Sequence, residues 1–245
     1  MLDITYNIFL WLSAVFVISL SVPQLVKLLK DKKTGPVSFT SFWIFHIGIL
    51  LWVVYGATAK QNDLFLNVIV ADGIGLFVNG IMTGLLYYYK KEFTSEQKLY
   101  GYLGILATWV IGTIFIGLYF AEYNLGHGAA VNSTFKFKVP EEATLIFGFV
   151  FPAFTTLAFL PQLIQSFKTG QWQGVSYIMY LLYVINNIVW IIWWGLGFAI
   201  AANNNDSYLG LIGGITWQII SLILFSIQLT FTLIDKRRRQ LAVQL

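Results

Sequence analysis

One carboxylic acid stands inside an apolar stretch of this sequence: Asp72, in "VADGIGLFVNGIMT" at residues 70–83. A carboxyl among hydrocarbon side chains is costly to bury. Such a group either binds a cation or a substrate amine, takes up and releases a proton, or is quietly satisfied by a neighbouring hydroxyl or amide. Gly75, Asn79 and Thr83 follow Asp72 by three, seven and eleven residues, which puts them on one stripe of a helix. That stripe is small or polar throughout.

A second polar set lies in "NNIVWIIWW" at residues 186–194, where Asn186 or Asn187 falls one turn from Trp190. Asparagines deep in an apolar helix favour a protein interior or a wet path. Trp190 suits the wall of a binding pocket, while Trp193 and Trp194 fit the aromatic belt found at membrane interfaces. Gln218 and Ser221 share a further helical face, and Gln218 joins the binding candidates. His46 also lies in an apolar run, and we read it as a hydrogen-bonded packing residue in preference to a proton relay. Catalytic residues are not expected. The apolar runs offer one carboxylate and no acid pair or nucleophile–base set, there is no cysteine, and the two histidines are too far apart for a short metal motif.

The elements that must position these residues follow from composition. Of 245 residues, 58% are hydrophobic and only 11% charged, too few charges to clothe a soluble domain of this length. Seven apolar runs near twenty residues long, roughly 4–26, 39–58, 64–89, 99–121, 143–166, 175–200 and 208–234, predict an all-α integral membrane protein. Asp72 then sits roughly 13 Å from the outer end of the third span at 1.5 Å per residue.

Basic residues set the orientation. Lys27, Lys30, Lys32, Lys33, Lys90, Lys91, Lys98, Lys168, Lys236 and Arg237 to Arg239 fall on one side; only Lys60, Lys136 and Lys138 fall on the other. The richer side is predicted cytoplasmic, with the amino terminus outside and the carboxyl terminus inside. The net charge of +4 is therefore a topology signal, and nucleic acid is not an expected partner. The start "MLDITYNIFL" lacks a basic leader, so the first run reads as a retained helix.

The chain also repeats itself. "VPQLVKLLKDKKTGPVS" at 22–38 and "LPQLIQSFKTGQWQGVS" at 160–176 align at an offset of 138 residues, matching Pro23, Gln24, Leu25, Lys30, Val37 and Ser38 to Pro161, Gln162, Leu163, Lys168, Val175 and Ser176. Trp52 pairs with Trp190, Asn67 with Asn205 and Gly75 with Gly213 at the same offset. Duplication on that scale predicts two three-helix units. Span four is unmatched; because three is odd, it must invert the chain so that the units lie parallel. The expected organisation is 1–92 for the first repeat, 93–140 for a linker helix and outer loop, 141–235 for the second repeat, and 236–245 for a basic tail.

The paired Pro-Gln-Leu motifs, the downstream Val-Ser, "LWVVYG" at 51–56 and the seven spans resemble the PQ-loop repeat family, which includes the SWEET sugar transporters and cystinosin-like exporters. The resemblance implies two bundles around a central solute path, worked by alternating access, with Trp52 and Trp190 stacking on substrate from both halves. It also likens "ADGIG" to the SWEET motif in which an asparagine binds sugar, with Asp72 substituted here. Pro23 and Pro161 are expected to weaken a helix interior and act as hinges, with Gln24 and Gln162 covering the carbonyls that the prolines free; the alternative is a plain helix end.

The leading functional expectation is a transporter of a small polar metabolite, an amino acid or sugar, with protons as a further partner and no cofactor. The alternative is a seven-span receptor or cargo-binding protein; an enzyme acting on lipid-linked substrates ranks last. Asn132-Ser133-Thr134 and Asn205-Asp206-Ser207 match a glycosylation pattern that would suit a lysosomal protein. The absence of cysteine and of an evident sorting signal favours a bacterial plasma membrane.

Overall fold

The computed structural model describes residues 2–58, 62–128, 141–204 and 209–244, all helix or short connections. Its helices are α1 (Leu2–Ser19), α2 (Val22–Asp31), α3 (Phe39–Thr58), α4 (Asn62–Tyr89), α5 (Ser95–Gly128), α6 (Glu141–Leu157), α7 (Leu160–Thr169), α8 (Tyr177–Asn204) and α9 (Leu209–Gln244). Seven continuous or once-broken runs among them are long and apolar enough to cross a membrane, so this is a multi-pass integral membrane protein. The basic tail continues α9 as helix, and the predicted outer loop is helical as far as Gly128. Lys60, Lys136, Lys138, Asn205 and both glycosylation tripeptides lie outside the described residues.

The first and fifth spans each break once, at equivalent places. α1 ends at Ser19 and α2 restarts at Val22; α6 ends at Leu157 and α7 restarts at Leu160. Pro23 and Pro161 therefore stand in the first turn of a new helix and not in a helix interior. This corrects the expectation, and the reason is steric: a proline cannot bond to the residue four back, so the helix stops before it and restarts where a missing N–H costs nothing. α2 and α7 also end alike. Lys32 (φ 49°) and Gly170 (φ 67°), 138 positions apart, both turn left-handed and donate their N–H to Leu28 O and Ser166 O, each at 2.9 Å.

Packing follows a two-part pattern. α4 packs against both α1 and α3, and α9 packs against both α6 and α8. The sets meet through α1 with α8 and α3 with α6, while α5 lies against α3 and α4. The main buried core gathers Phe42, Phe45, Phe159, Met179, Tyr183 and Phe225 where these sets join.

Candidate functional site

Between the sets lies a cavity of about 80 Å³ whose lining comes from α1, α3, α4, α6, α8 and α9. Trp52, Asp72, Asn186, Asn187, Trp190 and Gln218 all line it, so six of the seven binding candidates converge from four helices. Asp72 makes no hydrogen bond or ion pair among the described residues. Asn186 Oδ1 is buried and unpartnered, whereas Asn187 Nδ2 donates to Tyr183 O at 2.8 Å. Trp52 Nε1 reaches Thr155 Oγ1 at 3.5 Å across the α3–α6 contact.

Several lining residues escape a reading of the sequence. Thr155, Thr156 and Pro152 come from α6, and the Pro152 ring interrupts that helix's hydrogen-bond ladder beside the cavity. Trp194 lines the cavity too, a role that its reading as an interface residue did not include. It leans against α9 where Gly214 leaves room, since a Cβ there would collide with its ring. Phe45 and Tyr183 occupy equivalent repeat positions and meet at 5.4 Å, forming an aromatic layer at one end of the cavity. The repeat offset is the available signal: Val17, Phe45 and Trp52 of the first half are the repeat equivalents of Thr155, Tyr183 and Trp190 of the second, and all six line the cavity.

Beyond that layer the two Pro-Gln-Leu motifs clasp each other's half. Gln24 Oε1 accepts from Ser176 N at 2.7 Å, and Gln162 Oε1 accepts from Ser38 N at 2.6 Å. These bonds are equivalent under the repeat. Gln24 Nε2 also reaches Gly174 O at 3.4 Å, and Lys27 Nζ donates to the same carbonyl at 2.9 Å. The glutamines thus do not cover carbonyls freed by their neighbouring prolines, as expected from sequence; the helix break leaves them free to cross the interface. The backbones approach as closely as glycine allows, because a Cβ on Gly174 would collide with Pro36 O and lie 3.1 Å from Val37 Cγ1.

Asn79 does not reach the cavity. It is fully buried two turns from Asp72, where its Oδ1 accepts from His46 Nδ1 at 2.9 Å and its Nδ2 donates to Ser21 Oγ at 2.9 Å. His46 Nε2 lies 2.7 Å from Thr108 Oγ1 on α5. This network ties α3, α4 and α5 to the break between α1 and α2, in keeping with a hydrogen-bonded packing role for His46.

Comparison with known proteins agrees with the motifs. Residues 5–65 match the PQ loop repeat family, as the motif resemblance implies. The chain is also similar to the sugar transporter SemiSWEET of Escherichia coli (strain UMEA 3162-1), at 29% identity over 100 residues, which is 40% of this chain and 97% of that protein.

Proposed function

We propose that the protein is a transporter that moves a small polar metabolite by alternating access through the central cavity, amino acids and sugars being the classes that its family resemblance suggests. The observation that carries this reading is the cavity's position: six helices drawn from both matched sets line it, and repeat-equivalent glutamine clasps close one end. A site shared between two bundles can open to either side as one bundle rocks on the other, with the helix breaks before Pro23 and Pro161 as hinges. The similarity to a sugar transporter supports transport as the activity.

In this reading residues 1–92 and 141–235 are parallel three-helix repeats, 93–140 holds the inverting linker helix, and 236–245 is the basic tail. Trp52, Asp72, Asn186, Asn187, Trp190 and Gln218 contact the solute. Lys27, Arg239 and Lys236 gather at the clasped end, at Gln173 and Tyr177, which supports that end as cytoplasmic, with the amino terminus outside. A bacterial plasma membrane is the proposed location. Uptake of amino acids, sugars and small amines into liposomes holding the purified protein tests the activity; no uptake of any compound in that panel refutes it.

A further inference from the structure

We infer that the cavity selects a small organic cation, a protonated amine with an apolar body, over a neutral polyol or a zwitterion. The inference rests on the cavity being a solute site, and it follows from the charge and chemistry of the wall. Asp72 is the one carboxylate in the lining, and among the described residues that lining holds no lysine, arginine or histidine. Nor does Asp72 have a hydrogen-bond or ion-pair partner among the described residues. Asp72 therefore faces the cavity with no counter-charge beside it, and a bound ammonium would supply one and hold the carboxyl in its charged form.

The rest of the wall fits the same guest. Phe45, Trp52, Tyr183, Trp190 and Trp194 bring aromatic rings from both halves, and aromatic faces attract organic cations while their apolar surface takes an alkyl body. Asn186 Oδ1, buried without a partner at the cavity, offers a second acceptor for an ammonium N–H. A zwitterion would bring a carboxylate into a wall that has only neutral donors and one like charge. A neutral polyol brings no positive charge to pair with Asp72. Both are disfavoured by the same missing cation.

A matched set of solutes tests this on the wild-type protein in lipid nanodiscs, with intrinsic tryptophan fluorescence as the readout. Isobutylamine is a cation at neutral pH, valine adds a carboxylate to the same skeleton, and glucose is a neutral polyol. Isobutylamine is expected to saturate the signal at concentrations at least tenfold below valine and glucose. Asp72→Asn should weaken it at least tenfold while Asp72→Glu retains it. Tighter binding of glucose or valine on the wild type, which needs no variant to fold, overturns the inference; so does indifference of the amine to Asp72→Asn in a folded protein. Liposome uptake separates this from the proposed function. Uptake of a solute with which isobutylamine neither competes nor shares a site sinks only the amine, whereas amine binding with no uptake of any compound sinks transport.

Discussion

Replacing Gln24 with leucine keeps the bulk of the side chain and removes its carbonyl. In the closed arrangement Ser176 N then loses its acceptor at 2.7 Å, and Gly174 O loses a longer contact at 3.4 Å. Ser176 is buried, so water does not replace the lost partner while the end stays shut. An unsatisfied buried N–H costs about 1–3 kcal/mol. That cost falls on the closed state alone, because separation of the halves exposes Ser176 N to water. The open population should therefore rise about 5–150-fold, the ratio that 1–3 kcal/mol implies. The chain has no cysteine, so Val175→Cys, buried in the closed core, gives a single reporter. Its labelling rate with an impermeant maleimide, in the presence and absence of Gln24→Leu, reads the open population when opening is fast relative to labelling. Gln162→Leu should act alike on Val37→Cys, since its bond to Ser38 N is the repeat equivalent. A rate unchanged by either substitution refutes the clasp as what holds this end shut.

Other outcomes follow from the same contacts. Gly174→Ala should raise Val37→Cys labelling by forcing Pro36 away, and equal labelling would show that the backbones part without strain. His46→Ala should lower thermal stability by about 2–4 kcal/mol, because it leaves Asn79 and Thr108 atoms unpaired around a new void; an unshifted melt in detergent counts against the network. Trp190→Ala and Asn186→Ala should each weaken solute binding, and intact affinity in both moves the pocket elsewhere. Cysteines placed at positions 3 and 240 should label from opposite sides; labelling from one side would contradict an odd number of spans.

What the sequence shows and what it hides divide along one line. Properties carried by a single helix, or by the repeat of one, are legible: seven apolar runs, the lone acid at Asp72, and the match of Trp52 to Trp190 at the repeat offset. Properties created between helices are not. Asn79 shares a face with Asp72, but seven residues of helix carry it roughly 10 Å along the axis, past the cavity and into contact with His46. Helical phase reports direction and not depth. Gln24 illustrates the same limit, since its partner lies 152 residues away and no local rule points to it. Trp194 resembles an interface residue on its own helix and becomes a cavity residue because Gly214 on α9 admits its ring.

Asp72 also bears on the energy source. A carrier must return after releasing its solute, and an empty cavity would then carry a bare carboxylate with no partner among the described residues through a low-dielectric wall. Desolvating an unpaired charge costs several kcal/mol, so return is faster if Asp72 takes a proton in place of the departed cation. Each cycle would exchange one proton for one amine. Uptake into liposomes should therefore accelerate when the interior is more acidic than the medium and slow when the gradient is reversed. Asp72→Asn removes both the proton and the ammonium partner, so gradient-driven uptake and solute exchange at equal pH should fail together. Loss of the gradient response with exchange retained would make Asp72 a proton carrier that does not touch the solute. A wild-type rate indifferent to the gradient would refute coupling and leave passive, SWEET-like diffusion through the same cavity.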